Sequence, residues 1–187
     1  EFAAKIGVSR TPVREAVIQL SEESRIIEIF PQRGMRIAPI DVELVEEARS
    51  LRVLLEKQIA GMCCEMATEE DIKWLQENVG LQEFYMENSR PEMVMQLDDE
   101  MHHKLFMICH RELTYGMCQK LAIHYDRIRS LSVNTVKDNT IIEDHRKIIQ
   151  FIAEHKKENA MAQMEKHLSR WQLNEGKFRQ EFPDYFK

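Results

Sequence analysis

The stretch Leu97 to Leu105 reads Leu-Asp-Asp-Glu-Met-His-His-Lys-Leu, and it places the tightest limit on the fold. Around it, Val94, Leu97, Met101, Leu105 and Ile108 recur at the spacing of one helical face, which must be buried against other elements. Asp98/His102 and Asp99/His103 are each spaced i,i+4, so each pair shares one side of the helix. Taking the stripe as the inner face, Asp98 and His102 lie on its flank, about 60° and 100° from its centre, and Asp99 and His103 turn toward solvent. One carboxylate and one imidazole are therefore directed inward. Buried polar groups need partners, so the rest of the chain must supply them.

Two further histidines meet that requirement. His145 stands at the centre of the stripe Ile141, Ile148, Ile149 and Ile152, and His167 at the edge of Met164, Leu168 and Trp171. A single inward histidine is ordinarily a hydrogen-bonded core residue. Three, together with an inward aspartate, are satisfied more simply by one divalent cation of the zinc, nickel or manganese type. His103, His110, His124 and His155 lack this correlation and read as surface or incidental residues.

Nothing else in the composition points to a catalytic or disulfide framework. Cys63, Cys64, Cys109 and Cys118 have no CxxC spacing, so free, mostly buried thiols in a reducing cytoplasm are expected. No apolar run approaches a membrane span, and no membrane partner is expected. Net charge is −6, but residues 1–40 carry +1 and the remainder −7. A slightly basic head on an acidic body suits a chain whose head alone meets a polyanion.

The head has a pattern of its own. Phe2 to Ile6 continues a helix that Gly7 breaks, and Ser9 or Thr11 can cap a second helix whose first turn tolerates Pro12. Val13, Ala16, Val17 and Leu20 form the inner stripe of that helix. Ile26 to Phe30 reads as a strand, Pro31 to Gly34 as a turn, and Met35 to Ala38 as the return strand. Together these make a helix-turn-helix with a two-stranded wing. Arg10 and Arg14 lie off the apolar stripe near the start of the second helix, where base edges are read, and Arg33 sits at the wing tip. The chain begins at Glu1 inside a helical pattern, so part of the first domain is expected to lie outside this sequence.

From Asp41 the chain is almost entirely helical. Leu44, Ala48, Leu51, Leu55, Ile59 and Met62 form one stripe, and Thr68 to Asp71 a capped acidic start followed by Ile72, Leu75 and Leu81. Pro91 starts the helix of the opening stretch. Another helix runs from about Leu113 to Ser132, Asp138 or Thr140 starts the next, and a last long helix begins near Glu158 or Asn159. Six or seven antiparallel helices make a bundle. The expected architecture is thus mainly α, with a winged helix-turn-helix over 1–40 and an all-helical ligand-binding and dimerisation domain over 41–187.

Gly7 to Ala16, Gly-Val-Ser-Arg-Thr-Pro-Val-Arg-Glu-Ala, and Pro31 to Gly34, Pro-Gln-Arg-Gly, resemble the winged helix of GntR-family bacterial transcription regulators. The resemblance implies that Arg10, Thr11, Arg14, Arg33 and Gly34 contact double-stranded operator DNA. Ser24-Arg25 departs from the single glycine many members have there. In the body, Asp98-x-x-Met101-His102-x-x-Leu105, Glu143-Asp144-His145-Arg146 and Met164-Glu165-Lys166-His167-Leu168 resemble elements of the FadR-type (FCD) effector domain. In its metal-containing branch these positions imply Asp98, His102, His145 and His167 as ligands. Met101 replaces the usual Phe, and Lys156 stands where many members have an aspartate.

The expected function is that of a DNA-binding regulator, acting as a homodimer, whose helical domain holds a metal and a small carboxylate effector. Arg52, beside Leu51 and Leu55, is the candidate carboxylate clamp, since arginine suits bidentate recognition. The competing reading of Arg52 is a surface salt bridge with a glutamate. For the whole chain the alternatives are a metal-dependent hydrolase using the Asp/His site, a sensor whose effector is the ion itself, and a purely structural metal. The lack of an HExxH-type base and the presence of a winged head weigh against the hydrolase.

Overall fold

A computed structural model describes residues 2–135 and 140–187. The head consists of α1 (Phe2–Lys5), α2 (Arg10–Ser24) and an antiparallel pair, β1 (Ile27–Phe30) and β2 (Gly34–Ile37). Gly7, at φ 71°, makes the turn between the two helices, a conformation that costs glycine little. The register pairs Ile27 with Ile37 and Phe30 with Gly34. Ser9, not Thr11, occupies the N-cap position of α2, and its side chain makes no capping hydrogen bond. Arg25 ends α2 in the left-handed region, φ 54°, where the resemblance placed a glycine. The expected inner stripe of α2 is only partly realised. Val13 and Val17 are half-buried, while Ala16 and Leu20 are exposed, because among the described residues no element covers that side of the helix.

The body holds seven helices among the described residues: α3 (Val42–Met66), α4 (Glu69–Glu87), α5 (Pro91–Ile108), α6 (Glu112–Thr135), α7 (Thr140–Ala153), α8 (Lys157–Leu168) and α9 (Trp171–Glu181). Asp138, one of the two expected starts for α7, lies outside the described residues. Thr68 and Asp71 form the expected capping box on α4. Lys156 caps α8 without a side-chain hydrogen bond. The expected last long helix is two, broken at Ser169-Arg170.

Two core clusters result. The larger joins α3 to α8 around Leu75, Met101, Leu105, Ile148 and Met164, with all four free cysteines buried. The smaller gathers Ile40, Val45, Tyr125, Ile128, Phe178 and Phe186, where the segment around Ile40 pairs with the C-terminal residues through Ile40 N–H to Tyr185 O at 2.6 Å. Where α3 crosses α8 the helices are close enough that a Cβ on Gly61 would lie 2.9 Å from Met161 Sδ.

Two stripes differ from their expected register. On α3 the deepest positions are Val45, Ala48, Arg52, Glu56, Ile59 and Cys63, so Leu51 and Leu55 flank the buried face and Leu54 is exposed. On α4, Leu81 is exposed and Asn78 and Gln82 are buried instead. In both cases polar residues hold the centre of the face because they have partners there.

Candidate functional site

Asp98 and His102 are carried inward on α5, His145 on α7 and His167 near the end of α8. One ligand atom of each lies within 4.8 Å of those of the other three. The stripe Val94, Leu97, Met101, Leu105 and Ile108 is buried throughout, and this fixes the rotation of α5 that turns Asp98 and His102 to the interior. His145 is fully buried among Ile142, Ile148 and Ile149. His167 keeps one side on a narrow cleft and has no partner at Nδ1 among the described residues. Asp99 and His103 stay outside the site but are not idle. Asp99 reaches Arg129 at 2.8 Å, and the His103 ring stacks on Tyr115 at 4.4 Å.

The proton positions follow from the outer partners. Gln82 Nε2 donates to Asn78 Oδ1 at 2.7 Å, so Oε1 faces His145 Nδ1 at 2.8 Å and accepts its proton. The Glu56 carboxylate lies in ionic contact with His102 Nδ1, although neither atom makes a hydrogen bond of ordinary geometry. The His145 ring therefore aims its Nε2 lone pair at the shared space, and the Glu56 charge beside Nδ1 favours the same orientation of His102. There His145 Nε2 lies 3.2 Å from Asp98 Oδ1 and 3.2 Å from His167 Nε2, and His102 Nε2 is buried without a donor. Burial pushes the pKa of His145 down, and burial with its histidine neighbours pushes His167 well down, so neither charges readily. Asp98 is raised by burial, yet the Arg129 guanidinium beside it more than reverses this and holds it ionised. One carboxylate and three imidazole nitrogens thus converge with few protons among them. A cation fits this donor set, and the Nδ1 acceptors are the orienting partners that metal-bound imidazoles need.

Sequence reasoning missed those outer partners. Glu56 is i+4 from Arg52, a spacing that signals an ion pair, whereas Gln82 sits among Leu75, Val79 and Met86 and its role depends on a partner from another helix. Burial raises the Glu56 carboxyl, but Arg52 and His102 outweigh it and bring it to about 2. Arg52 donates Nε–H to Glu56 at 2.6 Å and lies over the Tyr125 ring at 5.2 Å. It is buried, not at the surface, so the ion pair forms but the surface reading does not hold. Among the described residues Nε is its single hydrogen-bonded nitrogen, and it lines the cleft beside His167, Asp98, Arg129 and Arg170. Arg129 bridges Asp98, Asp99 and Asp126. Arg170 clasps the buried Asp144, which Gln163 also contacts at 2.6 Å.

His124 corrects another expectation. It is buried, packed where α6 meets the end of α2, and burial lowers its pKa. In the head, Arg10, Thr11 and Arg14 are exposed along the first turns of α2, and Arg33 and Gly34 at the wing turn. Arg10, Arg14 and Gly34 line one groove between α2 and the wing.

The FCD domain family matches residues 47–170. The transcriptional repressor RspR of Escherichia coli is 28% identical over 187 residues, spanning 100% of this chain and 82% of its own. Among solved structures, Streptococcus agalactiae GntR is 25% identical with a TM-score of 0.53, over 89% of this chain and 82% of its own. McbR/YncC of E. coli aligns with a TM-score of 0.77 over 97% of this chain and 85% of its own, and at 17% identity it shares the fold. The chain belongs to the FCD-domain family and is a GntR-type transcription regulator.

Proposed function

We propose that this regulator binds one divalent cation through Asp98, His102, His145 and His167, and senses a small carboxylate in the cleft beside it. The observation that carries the reading is the convergence of three imidazoles and a carboxylate within 4.8 Å, with Gln82 hydrogen-bonded to the outer nitrogen of His145 and the Glu56 charge set against that of His102. Nitrogen and carboxylate donors suit zinc, nickel or manganese. A bound ion would supply positive charge to the four acceptors and a Lewis-acidic point for a carboxylate. Arg52 is the second anchor: Glu56 balances its charge through Nε, and its terminal nitrogens, unpaired among the described residues, suit a carboxylate in the cleft that Arg52 lines. That favours an organic anion over the ion alone as effector. The regulator names of the relatives favour this reading over hydrolysis.

The division of labour follows the change in chain character near residue 40. Residues 1–40 meet operator DNA through Arg10, Thr11 and Arg14 on α2 and Arg33 and Gly34 on the wing, where exposed arginines reach guanine edges and phosphates. Residues 41–187 hold the ligands and the homodimer contact, and a two-fold dimer matches a palindromic operator. The chain works in the cytoplasm, in keeping with its four free, buried cysteines. Effector binding would shift the body helices and with them the spacing of the paired heads.

A thermal-shift series tests this with zinc and citrate as probes. Zinc at about a hundred times its dissociation constant should stabilise the wild type by about 2.7 kcal/mol. Citrate should add a further rise only when zinc is present and Arg52 intact. A citrate response unchanged in Arg52→Ala, or present without zinc, would remove the carboxylate part of the reading.

A further inference from the structure

One helix, α6, touches both the candidate site and the head, and it does so on opposite sides. Toward the site, Arg129 holds Asp98 and Asp99, and the Tyr125 hydroxyl donates to Leu168 O at 2.9 Å, one residue beyond His167. Toward the head, Arg127 donates to Ala38 O at 2.7 Å and to Pro39 O at 3.4 Å, and His124 is buried against the Ser24 carbonyl at the end of α2. Arg127 and Arg129 are two positions apart, about 200° around the axis, so the two sets of contacts cannot move independently on a rigid helix.

Asp98 divides its oxygens between these partners. Oδ1 faces His145 Nε2, and Oδ2 accepts from Arg129. A cation among the four acceptors would draw on the same carboxylate and place a like charge near the Arg129 guanidinium. Arg129 already has two other acceptors, Asp99 at 2.8 Å and Asp126 at 2.6 Å, so its weight can move toward them without leaving it unpaired. The start of α3 is a poorer route, because Ile40 and Asp41 are fixed by the C-terminal residues through Tyr185 O and Lys187 Nζ.

Resting on the metal reading above, we infer that α6 carries the state of the Asp/His site to the winged head, with Arg129 reading Asp98 and Arg127 positioning the segment that joins β2 to α3. Both are positioning residues. Neither needs to touch operator DNA.

Hydrogen exchange read by mass spectrometry on the full chain, with and without zinc, tests the relay, with zinc content measured on the same samples. In the wild type, zinc should change exchange across residues 24–40 by at least about threefold. Arg127→Ala should keep the wild-type zinc content and lose that response, and Arg127→Lys, which retains the charge but not the two-pronged grip on Ala38 and Pro39, should lose most of it. An unchanged response in both variants, or a wild type that binds zinc with no change at 24–40, would overturn the relay while leaving the metal site standing. A wild type that takes up no zinc would overturn the metal reading, and the relay with it.

Discussion

The head and the body differ in where they keep their charges. In the head, Arg10, Arg14 and Arg33 are exposed, and no residue of α2 is buried. In the body, Arg52 pairs with Glu56, Asp98 meets His145, and Asp144 is held by Arg170, with all but Arg170 buried. An exposed arginine is available to a phosphate or a base edge and contributes little to folding. A buried charge has been taken out of water, so each member depends on its neighbours for its stability. The head is therefore built to meet a large polyanion from outside, and the body to enclose something small.

Substitutions can sharpen or break this contrast. The largest effect on folding is expected at Glu56, which lies between Arg52 and His102. Glu56→Ala leaves a buried guanidinium uncompensated and should cost about 3–5 kcal/mol in urea unfolding. Loss under 1 kcal/mol would show that Arg52 reaches water in solution. Arg14→Ala should behave in the opposite way. Its stability should stay within about 0.5 kcal/mol of wild type, while affinity for duplex DNA from its own upstream region, measured by fluorescence anisotropy, falls by about 1–3 kcal/mol. Equal losses in both assays would remove the contrast.

Acid unfolding offers a smaller test within the body. Burial raises the Asp71 carboxyl, but hydrogen bonds from Lys104 and Thr68 outweigh it and bring it to about 2. A depressed folded pKa means that its contribution is present above 3.8, the ordinary value, and declines as pH falls toward 2. Asp71→Asn should flatten the fall in melting temperature between those limits, and an unchanged slope would show that the capping box carries no such linkage. The smallest effect is expected in the head at Arg25, φ 54°. Arg25→Gly should stabilise by about 0.5–1 kcal/mol, the left-handed penalty less the entropy of glycine. Destabilisation would mean that the Arg25 side chain does something its exposure does not suggest.

The two regions also differ in how far they were legible. The head follows from a continuous string, Gly7 to Ala16 and then Pro31 to Gly34, so its helices, wing and exposed arginines could be read residue by residue. In the body the register of α5 was legible because five apolar residues fix its rotation, and His145 stood out against isoleucines. The register of α3 was not. A stripe drawn through Leu51 and Leu55 sets Arg52 aside as a flank, whereas the Arg52–Glu56 ion pair lets two charged residues occupy the deepest face. Gln82 was hidden for the same reason, since periodicity ranks residues by apolarity and cannot see a hydrogen bond from another helix. The break at Ser169-Arg170 and the burial of His124 depend on contacts more than 20 residues away in sequence, with Asp144 and with the end of α2.

Elemental analysis of the purified protein after zinc loading and desalting tests the central claim most directly. One ion per chain is expected in the wild type, and a near-complete loss in His145→Ala and His167→Ala that still melt cooperatively. Full metal content in both folded variants would contradict the assignment of these residues as ligands.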